Sequence, residues 1–376
     1  MKSVNKKIRT RGCENKTNHH SLTIISRHHG ELARKIGEFF GKKGQETDIV
    51  FYSRLDDDDV YLIAIPVGYP DKLKSLLQAL TISRTHVLII KPDENMDALL
   101  GEMMISLASF IGTKRIIAIA GITPMNEYMV DDIVKRMNEM LSSISMQEKT
   151  GDIMVIRDMK KDMEKLKSEI MKNGIQDHDN QGPVKVLIDA SFPVKGIGTV
   201  ALGIVKRGSF QAGTMLELTD PVNKTRNVII KSIQKHDVDC KAAFAGDRVG
   251  LAIKGIKADE LSRDNMLVTK DTLVKALKVQ ISFTLNRFAK KTMNIADKQE
   301  YHVAIDHQVH PVTPISIKST SEEGIMKPGE KANVTFSAKK AFWMDRDENW
   351  AVVTVLEKYQ GRLRILGSGP ATKAWE

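Results

Sequence analysis

Cysteine is nearly absent: only Cys13 and Cys240 occur, far apart in a chain of 376 residues. That excludes a small disulfide-stapled scaffold, fits a reducing cytoplasm, and sets the expectation of no structural disulfide. Aromatic residues are scarce, at 5% of the chain. They are not interleaved with the basic residues, which argues against a single-strand binder built on stacking and for contact through nucleic-acid backbone. No apolar run approaches the roughly 18 residues that a membrane-spanning helix needs, so no membrane partner is expected. The basic residues of 1–11 lead into no hydrophobic segment, so no secretory signal is expected either.

What is abundant is positive charge. Lysine and arginine outnumber aspartate and glutamate 57 to 47, a net charge of +10 at pH 7. Such a balance favours a polyanionic partner, and nucleic acid is the usual one. Residues 1–20 are polar and basic with no apolar period and read as a flexible arm.

Over 21–173, short apolar runs at 22–25, 48–54, 60–66, 86–90, 115–120 and 152–156 alternate with helical periods. Leu73, Leu76, Leu77 and Leu80 mark one helix. Met96, Leu99, Leu100 and Met103 mark a second, and Met129, Ile133 and Met137 a third. The methionines at this spacing read as core. Alternation of strand and helix predicts a doubly wound α/β domain, with a hairpin turning at Asp56–Asp59. Those four aspartates read as a solvated turn rather than a cation site.

Residues 174–183 lose all periodicity and read as a linker. From Val184 to Leu267, alternating runs punctuated by Gly, Pro, Asp and Asn predict a small antiparallel barrel over 184–271. A second strand-rich segment over 272–376 has the length of another barrel. The fold class is therefore α/β plus all-β. His302, His307 and His310 lie at spacings that do not put all three on one strand face, so zinc is not expected.

The first barrel carries Gly196-Ile197-Gly198-Thr199-Val200, Gly203-x4-Gly208, Ala245-Gly246-Asp247-x-Val249-Gly250-Leu251 and Gly255-Ile256-Lys257. With these fixed spacings it resembles the second domain of translational GTPases, the elongation factor Tu group. The ending Leu363-Arg364-Ile365-Leu366-Gly367-Ser368-Gly369 and the segment from Tyr301 to Pro311 are more similar to the archaeal-type selenocysteine-specific branch. That branch's fourth domain has no counterpart in this sequence. The resemblance implies a G-domain-like fold for 21–173 and translation-factor barrels for the rest.

The family's phosphate loop reads Gly-His-x-Asp-His-Gly-Lys-Thr-Thr. Its backbone N–H groups wrap the phosphates, its Lys neutralises charge, and its hydroxyl holds Mg²⁺. Here the strand at 22–25 runs into Ser26-Arg27-His28-His29-Gly30-Glu31-Leu32-Ala33. Only His29 and Gly30 remain. Glu31 stands for the Lys, and a carboxylate at contact distance from a triphosphate repels it. Leu32 replaces the Mg²⁺ ligand and offers no oxygen to a hard cation. Ile65-Pro66-Val67-Gly68-Tyr69 occupies the place of Asp-x-Pro-Gly-His, so Ile65 replaces a metal-directed Asp and Tyr69 a water-orienting His. The base-reading Asn-Lys-x-Asp falls at Ala120-Gly121-Ile122-Thr123. No other Gly-x4-Gly-Lys-Ser/Thr exists in the chain. The expectation is a degenerate GTPase domain, no catalytic residue, and no GTP or Mg²⁺ as cofactor.

In the family, aminoacyl-tRNA lies across the domains. Carried over by position, the resemblance implies RNA contacts at Lys74 and Arg263, residue types suited to phosphate. It implies an aminoacyl pocket at Asp189 and Phe192, with Ala190 and Leu202 departing from the polar types beside them. The function expected is that of a cytoplasmic, monomeric elongation factor-like protein that binds tRNA or the ribosome without a GTP-driven cycle, with a protein partner as a further means of shifting it. Two alternatives make different demands: a working factor with a rebuilt nucleotide site requires nucleotide binding, and a regulatory scaffold requires protein partners and no RNA.

Overall fold

The structure is a computed structural model that describes residues 18–110, 113–144, 146, 150–172, 180–220, 225–319, 323–346 and 349–376. They form two compact units: the described residues up to 172 together with Glu357–Leu363, and those of 180–356 together with 364–376. The expected arm falls outside the described residues over 1–17, as does the expected linker over 174–179.

The first unit is an α/β layer fold. Its strands are β1 (Asn18–Ile25), β2 (Lys42–Glu46), β3 (Val50–Asp56), β4 (Asp59–Ile65), β5 (Thr85–Ile90), β6 (Lys114–Ile119) and β7 (Met154–Val155). They form one sheet in the order β2-β3-β4-β1-β5-β6-β7. Strands β4, β1, β5, β6 and β7 run parallel, while β2 and β3 add an antiparallel edge. The helices are α1 (Arg27–Phe40), α2 (Leu73–Ile82), α3 (Ala98–Ala108), α4 (Val130–Ser143) and α5 (Lys161–Met171).

The central strands are buried along their whole apolar length, as a sheet covered on both faces requires. Strand β1 begins at Asn18, inside the span expected to be an arm, because β4 supplies partners there: Asn18 aligns with Asp59 and His19 with Val60. Met103 and Met137 are in the core. The Asp56–Asp59 turn is tied into the protein, with Asp56 accepting from Lys167 at 2.7 Å and Asp59 from His20 at 2.8 Å. No helix is long and apolar enough to cross a membrane, among the described residues.

The second unit holds two barrels. The first comprises β8 (Lys185–Val194), β9 (Gly198–Arg207), β10 (Ser209–Gln211), β11 (Met215–Leu218), β12 (Arg226–Lys235), β13 (Val238–Cys240), β14 (Ala242–Phe244), β15 (Arg248–Lys254) and β16 (Met266–Val268). Its ring runs β11-β16-β8-β9-β15-β12 and closes through the β11–β12 pairing. A Cβ at Gly203 would lie 2.6 Å from the Leu187 carbonyl oxygen, so only glycine lets β8 and β9 approach.

The second barrel comprises β17 (Leu273–Leu285), β18 (Met293–Asn294), β19 (Tyr301–Ile305), β20 (Gln308–Lys318), β21 (Ile325–Met326), β22 (Lys331–Asp345), β23 (Asn349–Thr354) and β24 (Ile365–Trp375). It closes as β17-β22-β20-β19-β23-β24, with β18 and β21 paired as a ribbon outside the ring. The N-terminal α/β unit and the two barrels realise the expected fold class.

Charges cross the seam between the barrels. Lys185, fully buried, reaches Asp306 and, at 2.7 Å, Asp345, which also accepts from Arg207 at 2.9 Å. Burial disfavours the Lys185 ammonium, yet the two carboxylates outweigh it and hold its pKa above the ordinary value. His307 donates from Nδ1 to the Ile188 carbonyl at 3.1 Å, and Trp343 from Nε1 to the Asp220 carbonyl at 2.8 Å. His310 packs its ring against Phe342, while the His302 ring accepts from the Leu356 N–H at 3.5 Å. The three histidines thus serve three separate contacts. Cys240 is buried on β13, and Cys13 lies outside the described residues, where the expectation about a disulfide also falls. The described end of the expected linker is bound to the first barrel, Asn180 accepting from the Ala245 N–H at 2.9 Å.

Candidate functional site

Strand β1 lies between β4 and β5, so the loop at its C-terminal end opens where the sheet's connections diverge, the usual ligand position of such folds. That loop keeps a phosphate-loop shape. His28, His29 and Gly30 all have left-handed backbone, at φ 54°, 52° and 77°, before the helix proper. Two of the three are not glycine and are held there by their surroundings. His29 Nδ1 donates to the Val67 carbonyl at 3.1 Å.

The chemistry inside the loop is apolar. Leu32 belongs to the same core cluster as Ala33, Ile36, Ile65 and Val67. Ile65 is fully buried, and a Cβ placed on Gly30 would lie 2.7 Å from its Cγ2. The branched side chain in the metal-directed position therefore fills the underside of the loop. Ser26 turns inward and accepts from the Ala33 N–H at 3.1 Å, so one helix N-terminal donor is satisfied from within the chain. Glu31 points outward and pairs with Lys35 at 3.4 Å. The hollow beside Ser26, Leu32, Lys91 and Glu94 encloses about 10 Å³, room for about one water.

The arginine at the loop is already engaged. Arg27 pairs through Nε with Glu94 at 2.7 Å and through its terminal nitrogens with Asp97 at 2.5 and 2.9 Å. It also donates to the Asn95 carbonyl at 2.7 Å. Burial pulls the Arg27 pKa down, but Asp97 and Glu94 more than offset it, and the guanidinium in turn holds the Asp97 carboxyl below its usual range. Asp97 has a second task as the N-cap of α3, accepting from the N–H groups of Leu99 and Leu100. With Lys91 and Glu31 also beside the hollow, two cations face three carboxylates, which leaves net negative charge where a triphosphate would need positive.

The residues expected at the family's other nucleotide motifs make contacts within the chain. Gly68 donates its N–H to the Asp48 carbonyl at 2.8 Å. Tyr69 is buried and donates to Glu102, also buried, at 3.0 Å. In the position of the base reader, Asn126 accepts from the Thr123 N–H at 2.7 Å and donates to the Gly121 carbonyl at 3.3 Å, closing the loop on itself.

Of the residues expected to touch aminoacyl-tRNA, Asp189 and Arg263 come together. Arg263 Nε donates to the Asp189 carbonyl oxygen at 2.8 Å, while the Asp189 carboxylate is held by Arg248 at 2.9 and 3.2 Å. Phe192 is half-buried on β8, opposite Val200 of β9. Lys74 is half-buried in the first turn of α2, in the other unit. Sequence reasoning missed Arg27, Glu94 and Glu102. A glutamate inside the Leu100–Met103 apolar stripe signals a buried partner, but Arg27 gives no local sign of partners some 70 residues away.

Comparison with known proteins identifies relatives of this chain. Residues 198–263 match the family model described as elongation factor Tu domain 2. The uncharacterized protein MJ0325 of Methanocaldococcus jannaschii is 30% identical over 334 residues, spanning 89% of this chain and 95% of that protein. The selenocysteine-specific elongation factor of the same organism is 28% identical over 352 residues, spanning 87% of this chain and 71% of that one. Among solved structures, translation elongation factor SelB from Methanococcus maripaludis, in complex with the GTP analogue GppNHp, aligns with a TM-score of 0.78. That alignment has 20% identity and covers 96% of this chain and 80% of that one. The chain belongs to the translational GTPase family of the elongation factor Tu group, close to the selenocysteine-specific elongation factors.

Proposed function

We propose that this chain is a translation elongation factor-like protein that binds tRNA or the ribosome and does so without binding or hydrolysing GTP. The observation that carries the second half is the packing of Leu32 and Ile65 into the core beneath Gly30. Seating Mg²⁺ and a triphosphate there would require expelling two buried side chains and opening a hollow of about 10 Å³. It would also require phosphate to face Glu94 and Asp97 with Arg27 already paired. A hard cation finds no oxygen ligand at Leu32 or Ile65. The residues present do not fit GTP and Mg²⁺.

RNA binding is supported by the family, by the net charge of +10 and by the retained barrels. A protein without a γ-phosphate sensor has no hydrolysis-driven change of state. Its conformational equilibrium responds instead to RNA or to a protein partner. On this reading it works in the cytoplasm, as a monomer, with Arg263 and Lys74 near phosphate and with Asp189 and Phe192 lining an altered or unused aminoacyl pocket.

Titration calorimetry with GTP and GDP in the presence of Mg²⁺ should give no heat of binding, and tRNA should bind with an affinity that falls steeply as salt rises. Micromolar nucleotide affinity would establish a rebuilt site instead. Absence of salt-sensitive RNA binding would leave the scaffold alternative.

A further inference from the structure

At one end of the second barrel two loops lie side by side. One, 286–292, follows β17, and the other, 327–330, precedes β22; Gly329 donates its N–H to the Leu285 carbonyl at 2.8 Å, and Leu285 donates to the Glu330 carbonyl at 2.9 Å. The first loop is pinned at both shoulders. Asn286 donates to the Leu366 carbonyl at 2.7 Å and accepts, through Oδ1, from the Phe288 N–H at 2.9 Å. Ala289 and Met293 are buried in the barrel core. Between the shoulders Arg287 and Phe288 project outward. Phe288 is 46% exposed, and the Arg287 guanidinium lies 5.0 Å from its ring centroid, over one face. That is an ordered, solvent-facing cation–π pair.

Its surroundings are basic. Lys290, Lys291, Lys327 and Lys331 are exposed, and with Arg287 they are in no ion pair among the described residues. Over 286–298 and 323–331 the sequence has six cations against three carboxylates. One of the three, Glu330, already accepts from the Lys327 N–H at 2.7 Å. Cations also lie over rings at Tyr61, Phe244 and Trp343, but Tyr61 is buried and Trp343 nearly so, whereas Phe288 is open to solvent. At this tip an exposed ring, a cation over it and further exposed lysines coincide, against the expectation that aromatics and cations stand apart.

We propose that this tip is a stacking platform for an unpaired nucleotide of RNA, a contact that rests on the RNA-binding reading above and gives it a site in the second barrel. Arg287 covers one face of the Phe288 ring. The other face takes a base, while Lys290, Lys291, Lys327 and Lys331 hold the flanking phosphates. A duplex keeps its bases stacked on each other and offers nothing to that ring, whereas a loop, bulge or end does. Lysines around an aromatic platform suit a single strand of any sequence.

The test compares the full chain with Phe288→Leu, Phe288→Tyr and the double variant Lys290→Gln/Lys291→Gln. The probes are an unstructured oligouridine, an RNA duplex of matched length, and tRNA. Phe288→Leu should weaken oligouridine binding roughly tenfold and leave duplex binding unchanged, and Phe288→Tyr should restore it. The double variant should weaken both and reduce the slope of log affinity against log salt by about 0.7 per charge removed on the single strand. Oligouridine binding unaffected by Phe288→Leu, or a preference for the duplex, overturns this platform while tRNA binding by the full chain keeps the broader reading. If the full chain binds none of the three RNAs, both fall.

Discussion

Two short loops of this molecule come from equally diagnostic motifs and have fared differently. In the first barrel, the Phe244–Asp247 loop keeps both shape and chemistry. Asp247 Oδ2 accepts from the Phe244 N–H at 2.8 Å and from Lys235 at 2.9 Å, and the Asp247 carbonyl accepts from the Val205 N–H at 2.9 Å. The motif aspartate is there because a buried turn needs its donor satisfied. In the α/β unit, the Ser26–Gly30 loop keeps only its shape. Its left-handed backbone survives, yet the side chains that would handle phosphate are apolar, turned away or paired with each other. Loop shape and loop chemistry are encoded at different positions: Gly30 and Ile65 maintain the first, and on the proposed reading the second departs at Glu31, Leu32 and Ile65 itself.

The sharpest way to break the contrast is at Asp247. Asp247→Ala leaves Lys235, 1% exposed, without its carboxylate and the Phe244 N–H without its acceptor. Removing one partner of such a buried pair should cost about 3–5 kcal/mol in urea denaturation. The corresponding change at the other loop, Arg27→Ala, should cost less: it strands Glu94, 9% exposed, but Asp97 is 47% exposed and is rehydrated when the guanidinium goes. Equal losses would mean that the Arg27 cluster is a structural keystone rather than a leftover of charge rearrangement.

Next in size is Gly30→Ala. The new methyl meets Ile65 Cγ2 at 2.7 Å, and φ of 77° is itself strained for alanine. Together these should destabilise the α/β unit by about 2–3 kcal/mol. Ile65→Ala removes the obstacle, so the double variant should be more stable than the sum of the singles by about 1 kcal/mol. Strict additivity in a double-mutant cycle would show that Ile65 does not fill the loop.

The barrel side has a dependence that the loop lacks. Burial pushes the His307 imidazole down to about 4, so it is neutral when folded, donating to Ile188 across the seam. The unfolded chain takes up that proton near pH 6.5, hence stability is fully present above about 6.5 and is lost as pH falls toward about 4. The loss should reach about 1–3 kcal/mol, read as the difference in denaturation free energy between the native chain and His307→Asn over that window. Parallel curves for the two would overturn it.

Much of this architecture was legible because burial imposes a period. The apolar runs of β1, β4, β5 and β6 and the Leu73–Leu80 stripe sit where their spacing put them, and Gly203 is glycine for a reason of contact. Strand β2 was not legible. Lys42–Glu46 contains no apolar residue, and it is a strand only because β3 offers it an edge to pair with. Helix α5 had a signal in Met163, Leu166 and Ile170, which are buried on one side amid a run of charges. At the candidate site, the departures of Glu31 and Leu32 from the family's loop could be read directly. What fills the space could not, because Ile65 under Gly30 and Arg27 between Glu94 and Asp97 are tertiary pairings without a local pattern. The tip at Arg287-Phe288 was missed, because the aromatics were read as standing apart from the basic residues, and only the Asn286 turn explains why it faces solvent.

The smallest expected effect carries the finest discrimination. Glu31→Lys restores the family's lysine at one position. Glu31 is 58% exposed and, among the described residues, makes only the pair with Lys35 at 3.4 Å, so the change should alter stability by no more than about 0.5 kcal/mol. If charge alone had silenced the loop, this single reversal would bring back measurable GTP affinity. It should not, because the new ammonium would stand at the rim of a loop whose underside is filled by Ile65 and whose Mg²⁺ position is held by Leu32. Calorimetry with GTP and Mg²⁺ should stay flat for Glu31→Lys, and the thermal midpoint should not move with nucleotide. A gain in binding would relocate the cause of the difference between the two loops from packing to a single carboxylate.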